Sequence, residues 1–575
     1  MSLKSFIPIL EWLPKYNKTL FKGDLSAGLT VGVMLIPQGM AYAMIAGLPP
    51  EYGLYACLVP ILIYSILGTS RQLAVGPVAM VSLLTATSIG TLADANTSEY
   101  IQLALILAFL IGVFQFLLGV FRLGFLVNFL SHPVISGFTS AAALIIGLSQ
   151  LKHLLGINIP RTHHIHEIIL NAIDQFDQIN WYTFAIGIVG ILIIIAIKRM
   201  KRAIPGTLVV VVLGILAVWL LELDGYGVKI VGNIPSKLPG FKMIHFDMDT
   251  FKTILPMVLA ISFVSFMESI AVAKAIQVKH KDYKVLPNQE LIALGIANIF
   301  GSMFQSYPTA GGFGRTAVKD QAGAQTGIAG FISAGMIVIA LLFLTPLIYF
   351  LPKAILASII MVAVYGLIDF KEVKHLWHSD KQDFVMLMVT FFATLILGVE
   401  QGIGVGVVLS LAMVLFKTTR PHTASLAKVP NSHFYRNTER FSELEERDDL
   451  LIYRFDAQLF FANIDFFVTK FHEYIAAQKD HLRLVIIDGE SINNVDSSAI
   501  HALLDIHDDL VKQNIELAFT GIKGPVRDAF NKSKFDEKVG KAHFFMSIQE
   551  AVDCYDNQCL TNQKKLHKDY TLQSE

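Results

Sequence analysis

The run Pro308-Thr309-Ala310-Gly311-Gly312-Phe313-Gly314-Arg315-Thr316-Ala317-Val318 decides how this chain is read. It sits among long apolar segments, yet the stretch it opens, 312–322, is too short to cross a bilayer, which takes about 20 residues. Glycines crowd its start and an arginine follows at once. The first half holds a counterpart: Val75-Gly76-Pro77-Val78 opens segment 77–92, which is also short. Pro50, in Pro49-Pro50-Glu51, precedes Gly76 by 26 residues, and Pro287, in Pro287-Asn288-Gln289-Glu290, precedes Gly312 by 25. Short segments interrupted by glycine or proline, at matching positions of two halves, point to a binding site in a repeat-built membrane protein.

Outward from these two points the chain is mostly apolar. Hydrophobic residues make up 54% of its 575 residues and charged ones 16%, and the mean hydropathy is +0.55. This composition argues against a soluble single-domain enzyme and, lacking a concentrated positive surface, against a nucleic-acid binder. Apolar segments recur at 25–46, 52–68, 77–92, 100–121, 125–150, 181–198 and 204–222. A second set follows at 251–278, 287–306, 312–322, 326–346, 350–368, 382–398 and 401–417. The expected fold is a polytopic α-helical membrane protein with fourteen transmembrane helices, seven plus seven. The formal net charge of zero hides an asymmetry. Residues 1–420 hold 28 basic and 21 acidic residues, residues 421–575 hold 18 and 25. The expected organisation is a cytoplasmic segment 1–22, a transmembrane domain 23–420 with repeats at about 23–222 and 251–420, a linker and domain start 421–449, a soluble domain 450–557 and a tail 558–575.

Basic clusters orient the spans. Lys198, Arg199, Lys201 and Arg202 form one, Lys279, Lys281 and Lys284 another, and Lys417 and Arg420 close the last span. The positive-inside rule places them, and both termini, on the cytoplasmic side. Charges and prolines interrupt residues 1–22, so no cleavable signal peptide is expected. Cys57, Cys554 and Cys559 make no disulfide framework and are expected as free thiols. His163, His164 and His166 lack the further ligands a metal site needs. No cofactor is expected.

The chemistry rests on a few residues. A helix that begins inside the membrane points unpaired N–H groups into a buried or wet cavity and carries about half a positive charge at its N-terminus. Two such termini, near Val78 and Phe313, would make an anion site. Gly76, Gly312 and Gly314, with Pro77, let an ion approach the backbone. Arg315 costs about 2.5–3.5 kcal/mol to insert at a span's centre, which marks it as a functional residue. Glu268 lies deep in segment 251–278, and a carboxylate in such surroundings is a candidate proton carrier. Protonating it, or placing sodium beside it, would strengthen anion binding, the logic of a symporter. Gln38 adds a neutral amide in the first span.

The motifs together resemble the SulP family of anion transporters, the sulfate permeases and their relatives, of the prokaryotic type. Gly23-Asp24-Leu25-Ser26-Ala27-Gly28-Leu29-Thr30-Val31-Gly32 and Ile36-Pro37-Gln38-Gly39-Met40-Ala41-Tyr42-Ala43 are similar to its first span. Pro49 to Tyr55, Gly68 to Arg71, Val75-Gly76-Pro77 and Pro308 to Val318 follow in the family's order, and the likeness covers roughly 20–557. It implies an inverted repeat in which a core, spans 1–4 and 8–11, moves like an elevator against a gate, spans 5–7 and 12–14, that carries homodimer contacts. It implies an anion pocket at Gln38, Tyr42, Val78, Phe313, Gly314 and Arg315, with Glu268 at the acidic position of span 8. Gly314 stands where many relatives carry serine. The implied substrates are inorganic anions, sulfate first and bicarbonate next, with H+ or Na+ as coupling ion across the inner (plasma) membrane. A dicarboxylate carrier, an uncoupled anion channel and a signalling receptor are the alternatives.

Past residue 420 strands and helices alternate: 450–456, 458–461, 482–487 and 515–520 read as strands, and 464–478, 497–513, 524–532 and 548–555 as helices, an α/β domain. First-strand character is read near 433–435. Val495-Asp496-Ser497-Ser498-Ala499-Ile500 resembles the loop-to-helix turn of STAS domains, in whose soluble cousins the serine after the aspartate is phosphorylated. That serine is Ser497, a candidate regulatory phosphosite. The competing reading is that Asp496 or Ser497 caps the helix.

Overall fold

The computed structural model describes residues 7–125, 131–159, 165–200, 206–280, 282–478 and 481–559. Lys201, Arg202, Lys281, His163, His164 and the tail from residue 560 lie outside the described residues. The chain divides into two compact units, Met1–Ser410 and Leu411–Glu575.

The first unit is helical. In chain order it holds α1 (Lys18–Ala46), α2 (Pro50–Leu67), β1 (Val75–Gly76), α3 (Ala79–Ile89), α4 (Ser98–Val120), α5 (His132–Leu155), α6 (Trp181–Arg199) and α7 (Gly206–Leu221). Then come α8 (Met248–Gln277), α9 (Pro287–Met303), β2 (Ala310–Gly311), α10 (Phe313–Gln321), α11 (Ile328–Ile348), α12 (Lys353–Ser379) and α13 (Lys381–Leu397), and α14 (Val399–Thr419) runs across the division between the units. Among the described residues nine helices are long and apolar enough to cross a membrane. Five expected segments appear as shorter helices: α3 with 11 residues, α7 with 16, α9 and α13 with 17 each, and α10 with 9.

Local chemistry sets the helix ends. The Asn17 side chain accepts from the N–H groups of Thr19 and Leu20 to start α1, and Gly47, at φ 82°, ends it in the left-handed region. Thr97 caps α4 and Asp247 caps α8. Proline occupies the first turn of α2 and of α9. The helices of the two halves interlock: α4 packs on α9, α1 on α11, α5 on α13 and α6 on α12. The α4–α9 crossing is a backbone contact. A methyl group on Gly112 would meet the Gly295 carbonyl oxygen at 2.7 Å, and one on Gly295 would meet Phe116 N at 2.5 Å. Small residues at such crossings let membrane helices approach closely.

The second unit carries a six-stranded sheet of order β4-β3-β5-β6-β7-β8. Its strands are β3 (Thr423–Lys428), β4 (Tyr435–Asn437), β5 (Leu450–Phe455), β6 (Leu484–Asp488), β7 (Glu516–Thr520) and β8 (Phe544–Phe545). β5 to β8 run parallel, and β3 is antiparallel to both β4 and β5. Alternate side chains face opposite cores. Leu451, Tyr453 and Phe455 meet α15 (Ile464–Ala477) and α16 (Ser497–Lys512), while Leu450 and Ile452 share a cluster with Ala551 and Val552 of α18 (Ile548–Asp556). Between them in the chain lies α17 (Gly524–Ser533).

Three expectations need correction. The sheet begins at Thr423, not near 433, because Thr423-Ala424-Ser425-Leu426 pairs with β5 although it is only weakly apolar. Residues 458–461 form no strand; Leu459 makes an isolated bridge to Val495. Cys554 and Cys559 are joined rather than free. The chain turns at Asn557 and Gln558, the latter with φ 55°, and brings Cys559 back beside α18. Cys57 is a free, buried thiol as expected.

Candidate anion site

Two strands of two residues each organise the site. β1 and β2 pair antiparallel, Val75 opposite Gly311 and Gly76 opposite Ala310. α3 starts directly after β1 with Val78 as its N-cap, and α10 directly after β2 with Gly312 as its N-cap; neither is capped by a side chain. The first N–H groups of both helices therefore lack the side-chain partner that usually satisfies them. Gly76 holds φ +150°, a conformation L-residues rarely adopt, and a methyl group there would approach the Arg315 guanidinium at 3.5 Å.

The crossing is braced from several elements. Gly312 N donates to Ala74 O at 3.0 Å, and Ala74 N donates to Thr316 Oγ1 at 3.0 Å. Gly311 N donates to Ser269 Oγ of α8 at 2.8 Å. Asn298 of α9 accepts from the backbone N–H and hydroxyl of Thr309, each at 2.9 Å. Tyr307 and Ser82 share a hydrogen bond of 3.0 Å between their hydroxyls. Sequence reading missed Thr316, Ser269 and Asn298. They are polar residues at helical positions, and only tertiary contact distinguishes them from any other.

Arg315 is 3% exposed. Its Nη1 donates to Pro77 O at 2.6 Å, which ties α10 to the start of α3. Its Nε and Nη2 are buried and have no hydrogen-bond partner among the described residues. Glu268, half-buried on α8 next to Ser269, has a buried Oε2 with no partner among the described residues. Arg315 lies near enough to act electrostatically on Glu268 and on Tyr42, which is 8% exposed on α1. Gln38 sits one turn before Tyr42 on α1 and is half-buried. Val78 is buried at 4%, whereas Phe313 is 59% exposed and Gly314 is exposed. A methyl group on Gly314 would meet nothing within 4 Å. The site is thus closed at Gly76, Pro77, Val78 and Gly312 and open at Phe313 and Gly314. Its unspent donors are those of an arginine and two helix ends, a set that suits an anion and no enzyme chemistry.

Two other buried acids are engaged by neutral donors. Glu290 accepts from the Tyr64 hydroxyl and from Thr69 and Ser70, and Asp24 from Gln325 and Thr326. In the second unit Asp496 caps α16, its Oδ1 accepting from Ala499 N at 2.9 Å and its Oδ2 from Phe461 N at 2.8 Å. Ser497 is exposed in the first turn of that helix.

Long apolar helices, two half-length helices meeting at a strand crossing, and a separate α/β unit define a multi-pass membrane transport protein, not an enzyme. The chain belongs to the sulfate permease family, which it matches over residues 21–390, and it carries a STAS domain over residues 442–551. It is 39% identical to sulfate transporter 4.1, chloroplastic, of Arabidopsis thaliana over 568 residues, covering 96% of this chain and 82% of the relative. To sulfate transporter 1.3 of the same plant it is 36% identical, covering 96% and 88%. Its structure matches that of SLC26A9 with a TM-score of 0.88 at 26% identity, covering 98% of this chain and 94% of the other. The transmembrane domain of the cyanobacterial bicarbonate transporter BicA shares the fold, with a TM-score of 0.60 at 22% identity, over 69% of this chain and 98% of the other.

Proposed function

We propose that the protein is a secondary transporter of inorganic oxyanions, sulfate first and bicarbonate next. One observation carries this reading: Arg315 holds two buried, unpartnered nitrogens beside two uncapped helix N-termini. The names of the relatives, sulfate transporters among them, point the same way.

Gln38, Tyr42, Gly76, Pro77, Val78, Gly312, Phe313, Gly314 and Arg315 line the pocket in this proposal. Glu268 is the coupling group, loaded by H+ or Na+. An ionised Glu268 opposes the anion through space; a neutralised one does not. The anion and the coupling ion are therefore carried together. Movement is of the elevator type, with α1–α4 and α8–α11 as the core and α5–α7 and α12–α14 as the gate of a homodimer. The grouping is supported by packing, since α1 with α11 and α4 with α9 fall inside the core, and α5 with α13 and α6 with α12 inside the gate. The membrane is the plasma membrane, with the Lys198–Arg199 end of α6 on the cytoplasmic side. At Ser497 we adopt the capping role of its neighbour Asp496 over phosphorylation; absence of phosphate at Ser497 in native membranes supports it.

The test is reconstitution into proteoliposomes with labelled sulfate, bicarbonate and succinate in competition, at two pH values, with and without sodium. Sulfate uptake driven by an inward proton or sodium gradient is expected. No uptake of any of the three anions overturns the proposal, and a preference for succinate turns it to a dicarboxylate carrier.

A further inference from the structure

We infer that Lys319 is a second fixed cation of the same site, and that it sets a preference for doubly over singly charged anions. The inference rests on the transport reading above and deepens it.

Lys319 lies four residues after Arg315 on α10, so the two share a helix face about 6 Å apart along the axis. Each is 3% exposed. Both reach the same segment of chain. Arg315 Nη1 donates to Pro77 O at 2.6 Å, and Lys319 Nζ donates to Leu73 O at 3.4 Å. The second bond is long, and an ammonium has three N–H groups to place. Lys319 also lines a small cavity with Tyr64, Ser65, Leu73 and Ser333. The hydroxyls there are already spent, Tyr64 on Glu290, Ser65 on Ile61 O and Ser333 on Gly28 O.

Among the described residues no carboxylate forms a salt bridge with either cation. Asp24 acts on Lys319 through space, but its oxygens are taken by Gln325 N, Thr326 N and the Thr326 hydroxyl. Asp320, next along the helix, is bound by Lys279 and His280. Glu290 is bound by Tyr64, Thr69 and Ser70. Glu268 faces Arg315. Two like charges four residues apart on a helix repel each other, and burial in a membrane-spanning unit makes each costly. Neither cation has a carboxylate in direct contact, so Asp24 and Glu268 offset the pair only through space, and an anion at the N-terminus of α10 adds a closer partner.

The position of Lys319 also explains why a dianion gains more. Lys319 does not touch the pocket; it acts on it by its field. A unit charge about 10 Å away, at an effective dielectric of about 20, changes the affinity of a monoanion by about tenfold and of a dianion by about a hundredfold. Lys319 therefore favours sulfate over a monoanion by about tenfold.

The experiment compares the wild type with Lys319→Met and Lys319→Arg in proteoliposomes. It measures the KM of labelled sulfate and the inhibition constant of nitrate against it, with thermal unfolding in detergent as a check on folding. Lys319→Met should raise the sulfate KM about a hundredfold and the nitrate constant about tenfold, and Lys319→Arg should restore the wild-type ratio. A purely structural role would lower activity without moving the ratio. An unchanged ratio in Lys319→Met, or a ratio that Lys319→Arg fails to restore, overturns the inference. If Lys319→Met does not fold, Lys319→Gln is read by the same ratio. A wild type that takes up no anion removes the transport reading and this one with it. A wild type that takes up sulfate while Lys319→Met keeps its ratio removes this one alone.

Discussion

Arg315 has five N–H donors, and one of its nitrogens is spent on Pro77 O while two lie buried and unpaired. That imbalance can be tested one atom at a time. Charge-assisted hydrogen bonds contribute about 1.5–3 kcal/mol and the lost unit charge adds to that, so Arg315→Ala should raise the sulfate KM by about a hundredfold or more without loss of the fold; unchanged affinity in a binding assay would remove it from the site. Gly314→Ser should do the opposite. The position has open space around it, and a hydroxyl there adds a donor worth about 0.5–1.5 kcal/mol, so the sulfate KM should fall by up to about tenfold. An unmoved KM would place the anion away from Gly314. Glu268 was legible in the sequence because it is a charge inside an apolar run, and Arg315 because it follows at once on the glycine-rich start of a short segment. Lys319 was not, since it sits in the least apolar of the expected segments, where a lysine does not stand out; its spacing from Arg315 was the available signal. Asp24 and Glu290 were also missed. An acid in the first turn, as Glu290 is in α9, reads as a partner of the helix dipole, and only the bonds from Tyr64 and Thr69 show that it is gripped across the halves.

At the scale of elements, the two half-helices could be read ahead because glycine and proline interrupt the apolar pattern at Gly76-Pro77 and at Gly311-Gly312. The strand pairing between them could not. Two residues carry no alternation, and the pairing joins opposite halves of the chain: Val75 stands opposite Gly311, and Gly76 opposite Ala310, only once α1, α8 and α9 are packed around them. The α4–α9 contact was hidden for the same reason, as Gly112 and Gly295 look like any glycines in apolar helices. Their contact predicts a sharp asymmetry. Gly295→Leu drives a side chain into the backbone of α4 and should destabilise the protein by about 3 kcal/mol or more. Gly335→Ala on α11, where an added methyl meets nothing within 4 Å, should leave stability unchanged or slightly raised. Equal thermal unfolding of the two variants in detergent would contradict the packing. In the STAS domain Asp488 ends β6 almost fully buried, and desolvation pushes its carboxyl above the usual range, with repulsion from Glu490 and Asp456 adding to it. A raised folded pKa means that the protonated acid costs nothing below the unfolded value, about 4, and that stability is lost as pH rises from there through the folded value. Asp488→Asn removes that loss. It should raise the unfolding temperature of the domain at pH 7.5, with the gain vanishing below about pH 4; a gain independent of pH would assign the effect to something other than ionisation.

Across the whole molecule, composition first suggested a membrane protein, and the few charges within the apolar unit then narrowed its work. Two helix N-termini contribute about +1, Arg315 adds +1, Lys319 adds its field from outside the pocket, and Glu268, with an unpartnered oxygen facing that arginine, subtracts 1 when ionised. The sum at the site changes by one unit with a single proton, whereas the oxygens of Asp24 and Glu290 are taken by neutral donors. Glu268→Gln fixes the sum at its protonated value. Sulfate should then bind with a KM that no longer varies with pH, because the opposing charge is gone at every pH. Transport should fall to exchange of sulfate across the bilayer, since no proton or sodium ion is carried with it and a gradient of either can do no work. Glu268→Asp keeps the carboxylate and should keep gradient-driven uptake, at a reduced rate. The measurement is sulfate accumulation in proteoliposomes with and without an imposed gradient, alongside sulfate counterflow at zero gradient. Intact counterflow with lost accumulation in Glu268→Gln identifies the coupling group. Accumulation that still follows the gradient would move coupling elsewhere in the chain and leave Glu268 as a structural acid.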